Sequence, residues 1–155
     1  MLQLWKARRG RKAATALIAP FVEQSRIRLG GIPDAAWQDA YLVGFLAMLA
    51  SLEASEEAGS LKSYALALVQ SETLAELSGE AADIVGQTIC SLSLEQEGRF
   101  GAGCRDASLF HKTLRQHEGP STLVGTFEGG YPSGVGPEVA DLWQQIFEAR
   151  ISLLT

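Results

Sequence analysis

Cys104, Asp106, His111 and His117 are the residues of this chain whose types and spacing come nearest to bond-making chemistry. Cys104 and His111 are seven apart, so a continuous helix would carry both on one side. A thiol beside an imidazole can be activated as a thiolate nucleophile. His111 and His117 are six apart, close to opposite faces of a helix, and would not chelate one metal as an i, i+4 pair does. The commoner outcome for such residues is an exposed pair of histidines and a small buried cysteine. The sequence therefore predicts no catalytic residue and no bound metal, with Cys104 and His111 as the enzyme alternative.

Carboxylates pair at Glu56 with Glu57, Glu72 with Glu76, and Glu95 with Glu97. Glu72 and Glu76 share a helix face. A helical bundle can hold metal with carboxylates, but that chemistry asks for Glu-x-x-His on two helices, and the chain contains none. A solvated acidic face is the expectation. No GxxxxGK[ST] occurs and no strand precedes a GxGxxG, so no phosphate-binding loop and no cofactor are expected.

Charge is sorted along the chain. The net charge is -5, yet residues 1–12 carry +5, residues 34–97 carry eleven acids against Lys62 alone, and the remainder is nearly balanced. The head "MLQLWKARRGRK" sets Leu2, Leu4 and Trp5 beside Lys6, Arg8, Arg9, Arg11 and Lys12. Apolar groups, an aromatic ring and cations are the mixture that interfacial segments use. The rest of the chain is acidic and shows no basic stripe along a helix, which weighs against nucleic acid. The head is thus expected to contact a membrane surface or an acidic protein through Leu4, Trp5, Lys6, Arg8, Arg9, Arg11 and Lys12, or to lie against the acidic middle of its own chain.

These groups need elements to position them, and the elements read as helices. At 155 residues the chain suits one domain. Leu61, Tyr64, Ala65, Leu68 and Val69 match one helix face, as do Ala81, Ile84, Val85, Ile89 and Leu92. Val139, Leu142, Trp143, Ile146, Phe147 and Ile151 give a third stripe, and Ala14, Leu17, Ile18, Phe21 and Val22 a fourth. Pro20 interrupts the fourth and predicts a kink or restart. Helix starts are expected near Pro33 and Pro137, each a proline followed by an acid, with Ser60 capping a helix that ends at Gly79. The apolar segment from Ala35 to Leu52 should be the central helix. Only "STLVGTF" (Ser121 to Phe127) has strand-like composition. The prediction is an all-α, single-domain bundle of five to six helices, residues 13–155, behind a basic head, residues 1–12, whose order composition does not fix.

Six glycines and two prolines fall between Glu118 and Gly136, making residues 119–136 a long Gly-rich loop before the C-terminal helix. It reads as a surface linker, or as a lid with Phe127 and Tyr131 as ligand contacts. The longest uncharged apolar run, Ala40 to Leu52, is shorter than the roughly 20 residues a membrane-crossing helix needs. The apolar stretch after the head lacks a small-residue cleavage site, and two cysteines without CxxC spacing suit a reduced, cytosolic protein.

The order of a basic head, an alanine-rich helix reaching "FVEQSRIR", then "GIPDAAW" and a long apolar helix resembles the start of the ubiquinol-cytochrome c chaperone family. The resemblance covers at most the first third of the chain. It implies an assembly factor working at a membrane surface. The residues themselves point to a non-catalytic interaction module in the cytoplasm, its partner another protein or a second copy, its head docking to an acidic partner or an anionic surface. The rival is an enzyme using Cys104 and His111 under the Gly-rich lid.

Overall fold

The computed structural model describes residues 1–117 and 135–155, and these form an all-α bundle. Helix α1 (Leu2–Leu29) is followed by a short 3-10 turn (Asp34–Gln38), α2 (Ala40–Ala58), α3 (Ser63–Ser78), α4 (Ala82–Glu95) and α5 (Glu97–Gln116). The C-terminal helix starts as α6 (Pro137–Trp143), widens into a π turn (Gln144–Glu148) and closes as α7 (Ala149–Leu154). Among the described residues there is no strand. Most of the loop 119–136, with Phe127, Tyr131 and the strand-like Ser121 to Phe127, lies outside the described residues.

Several boundaries differ from the sequence reading, each for a local reason. Pro33 starts only the 3-10 turn. The central helix begins at Ala40, because the Asp39 carboxylate accepts the Leu42 N–H at 3.0 Å and supplies the N-cap. Ser60 does not cap α3, which starts three residues later, where the Lys62 N–H donates to Gln3 Oε1 at 2.8 Å. Gly79 ends α3 with φ 81°, a left-handed conformation that glycine adopts without strain. Helix α1 continues through Pro20, whose missing N–H is outweighed by Leu17, Ile18, Phe21 and Val22, all buried around it. The head is not separate: residues 2–12 are the first three turns of α1.

Helix α2 touches α1, α3, α4 and α5, so water is excluded from nearly all of its faces. The core is aromatic. Phe21, Phe45, Phe110, Trp143 and Phe147 pack with ring centroids 4.6 to 6.0 Å apart. Ile146, Phe147 and Glu148 are buried consecutively in the widened turn. A polar chain pins this helix to α1: Trp143 Nε1 donates to Ser25 Oγ at 2.8 Å, Ser25 donates to Glu148 at 2.9 Å, and Arg28 pairs with Glu148 at 3.2 Å.

Glycines set the closest helix approaches. A Cβ on Gly103 would lie 2.0 Å from the Tyr41 carbonyl oxygen, and one on Gly44 2.3 Å from that of Phe100. Here the backbones of α2 and α5 touch, and backbone cannot swing aside. Gly98, on the same helix, faces open space. Gly103→Ala should therefore lower stability by about 3 kcal/mol or more through overpacking, whereas Gly98→Ala should be neutral or add about 0.5 kcal/mol through helix propensity. Urea unfolding of the two variants separates packing from propensity.

Candidate interaction surface

At 100° per residue, Leu2, Leu4, Trp5, Arg8, Arg9 and Lys12 fall within an arc of about 160° on α1, and all six are exposed. The opposite side packs: Ala7 and Ala14 are buried, and a Cβ on Gly10 would stand 2.7 Å from the Ala54 Cβ. Small residues thus let the start of α1 lie close on α2, leaving its large groups outward. Leu2, Leu4 and Trp5 keep 63%, 47% and 56% of their surface exposed. The Arg9 guanidinium lies 5.6 Å from the Trp5 ring centroid.

The seven head residues divide into two groups. Arg9 pairs with Glu57 at 3.1 Å, Arg11 bridges Glu72 at 3.4 Å and Glu76 at 2.9 Å, and Lys6 donates to the Ser60 carbonyl at 3.4 Å. These bonds lay the basic head along the acidic middle of the chain. Arg8 and Lys12 are exposed and form no ion pair among the described residues; they border an open hollow that Glu72 and Glu76 also line, on the helix side that carries Leu4 and Trp5.

Cys104 and His111, both on α5, are not brought together. Seven residues of helix separate their backbones by about 10 Å, and each has its own partner. The Cys104 thiol donates to the Gly44 carbonyl at 3.5 Å, and burial raises its pKa above the usual thiol value despite the nearby Arg105. His111 Nε2 lies 3.1 Å from Glu53 and 3.4 Å from Glu56. Arg115 pairs with the same two carboxylates. Asp106 accepts a hydrogen bond from the Tyr41 hydroxyl, whose pKa is raised by burial and by that carboxylate. His117 pairs with Glu138 at 2.9 Å, joining the end of α5 to the start of α6.

Glu53, Glu56 and His111 offer ligand atoms within 4.8 Å of one another and so form the cluster best able to take a metal ion. No Glu-x-x-His motif marks it in the sequence, because the structure assembles it from α2 and α5. Both its carboxylates are already paired with Arg115, an arginine that a metal would have to displace. The arrangement works as a buried ion cluster joining two helices.

Burial pushes the Glu53 pKa up, but hydrogen bonds from His111 and Arg115 outweigh it, and the net shift is downward from 4.5. A depressed carboxylate stabilises the fold above its unfolded pKa and loses that contribution as pH falls through the folded value. Stability should thus decline below pH 4.5. Glu53→Gln should be less stable at pH 7 and should flatten this acid limb, as urea midpoints measured from pH 7 to pH 3 would register. The thiols differ too: Cys90 is exposed and Cys104 half-buried with a raised pKa. A maleimide at pH 7 should label Cys90 first and Cys104 at least tenfold more slowly, which timed mass spectrometry resolves.

The fold and this surface define a helical bundle whose buried ionisable groups are tied into structural pairs and whose exposed cations Arg8 and Lys12 share a helix face with exposed apolar groups. No family model, curated protein or solved structure matches the chain, so the resemblance over its first third gains no support. Among the described residues, no helix is long and apolar enough to cross a membrane.

Proposed function

We propose that the protein is a non-catalytic interaction module that docks peripherally on an anionic membrane surface through the outward face at the start of α1. One observation carries this reading: the first turn exposes Leu2, Leu4 and Trp5, and the next two turns of the same face expose Arg8, Arg9 and Lys12. Lipid is favoured over an acidic protein because the apolar turn gains by entering the boundary between headgroups and acyl chains, with the indole at headgroup level. Both cysteines are free, which suits a reducing cytoplasmic face.

The binding is weak by construction. Each cation near such a surface contributes about 1 kcal/mol, and Arg9 is already shared with Glu57. Arg8 and Lys12 therefore supply most of the electrostatic part, and salt should screen it. The chain should co-sediment with vesicles of phosphatidylcholine and phosphatidylserine at 3:1 in low salt, and not with phosphatidylcholine alone. The double variant Arg8→Gln, Lys12→Gln should bind about tenfold less while melting at the same temperature, and Trp5→Ala should weaken binding and abolish its fluorescence shift. Equal binding to neutral vesicles, or no binding at low salt, would overturn the reading.

A further inference from the structure

We propose that the trough between α3 and α4 is a docking site for a basic amphipathic helix of another protein. Tyr64 and Ile84 have the spacing of core residues on their helices, yet each keeps 53% of its surface exposed, while Ala65, Val69, Val85, Ile89 and Leu92 fill the core. Helices α3 and α4 thus carry more apolar surface than the described residues cover. Part of it lines an open trough of about 860 Å³, bounded by Tyr64, Ala67 and Leu68 on one side and by Gly86 and Cys90 on the other. A Cβ on Gly86 would meet the Ser71 Cβ at 3.7 Å, so small residues close the trough floor. Below Cys90, Leu94 is 82% exposed and extends the apolar strip. From Asp83 to Leu94 the strip runs along α4 for about 17 Å. That length suits about three turns of a partner helix presenting apolar residues at i, i+3, i+4 and i+7.

Charge selects the partner. Residues 63–98 contain six acids and no base. Arg11 occupies Glu72 and Glu76 on the other flank of α3, so this helix already receives one basic helix, α1. Glu80 and Asp83 stand at the start of α4 and Glu95 and Glu97 at its end, with no ion-pair partner among the described residues. Lys62, just ahead of α3, is the single cation between residues 34 and 97. A helix with an apolar stripe and Lys or Arg toward one end meets Glu80 and Asp83 at the start of α4, while at the other end Arg99 follows Glu95 and Glu97 and offsets part of their charge. A second copy laying the same face here would set acid against acid. The trough is distinct from the vesicle-facing side of α1, so this proposal and the membrane reading stand or fall separately.

Cys90 sits in the trough and reports its occupancy. The probe is a 15-residue helical peptide of leucine and lysine with one apolar face; its control replaces lysine by glutamate. With the full chain, the lysine peptide should slow maleimide labelling of Cys90 at least tenfold at saturation and leave the Cys104 rate unchanged, and the glutamate peptide should protect neither. Tyr64→Ala, an exposed position, should weaken the peptide several-fold in fluorescence anisotropy with the melting temperature unchanged. Absence of binding, or binding without protection of Cys90, would overturn the proposal, as would equal protection by both peptides. A concentration-dependent dimer that shields Cys90 without peptide would assign the trough to a second copy and overturn it as well.

Discussion

The contact on which the rest of the structure depends is between two backbones. Gly44 and Gly103 let α2 and α5 meet where a single methyl group would collide with a carbonyl oxygen at 2.0 to 2.3 Å. Every side-chain partnership between these helices follows from that approach. Tyr41 reaches Asp106, Cys104 reaches the Gly44 carbonyl, Phe45 and Phe110 pack at 6.0 Å, and Glu53 and Glu56 meet His111 and Arg115. The pairs advance together along the two helices, so the glycine contact fixes the register of all of them. Flexible side chains could tolerate a shift; touching backbones cannot.

Polar groups then make that packing unique. Exposed ion pairs such as Arg9 with Glu57 contribute little individually, being screened by water. Their collective effect is to lay a cationic helix end along an acidic surface and relieve its self-repulsion. The buried groups matter more for specificity. Glu148 is satisfied only when Ser25 and Arg28 of α1 face the π turn, and Trp143 donates into the same network. Glu53 is satisfied only when α5 stands in its observed register. An alternative packing would leave a carboxylate buried and unpaired, at a penalty of several kcal/mol.

The helices were legible because their apolar periodicity is local. Ala14, Leu17, Ile18, Phe21 and Val22 read as one face and are one buried face, and Pro137 opens the C-terminal helix as expected. Boundaries slipped where a tertiary bond outvoted the local signal, as when Gln3 holds the Lys62 N–H ahead of α3. The candidate site was legible in composition only. Its cations and apolar residues were plain, but which faced outward depended on Ala7, Gly10 and Ala14 turning the other side inward. Cys104 and His111 show the opposite failure: a shared helix side suggested a pair, and the two turns of rise between them gave each a different neighbour on α2.

The sequence by itself determined that the chain folds as helices around an apolar α2, because hydrophobic spacing and glycine stops act within a few residues. It determined the sorting of charge, which is a property of composition. Only the tertiary structure decided which charges are spent inside the molecule and which remain available. Arg11 and Arg9 find acids 48 to 65 residues away, whereas Arg8 and Lys12 form no ion pair among the described residues. It likewise decided that Tyr64 and Ile84 remain outside. A periodic apolar stripe states that a face must be covered; whether this chain or another covers it depends on contacts between residues far apart in sequence.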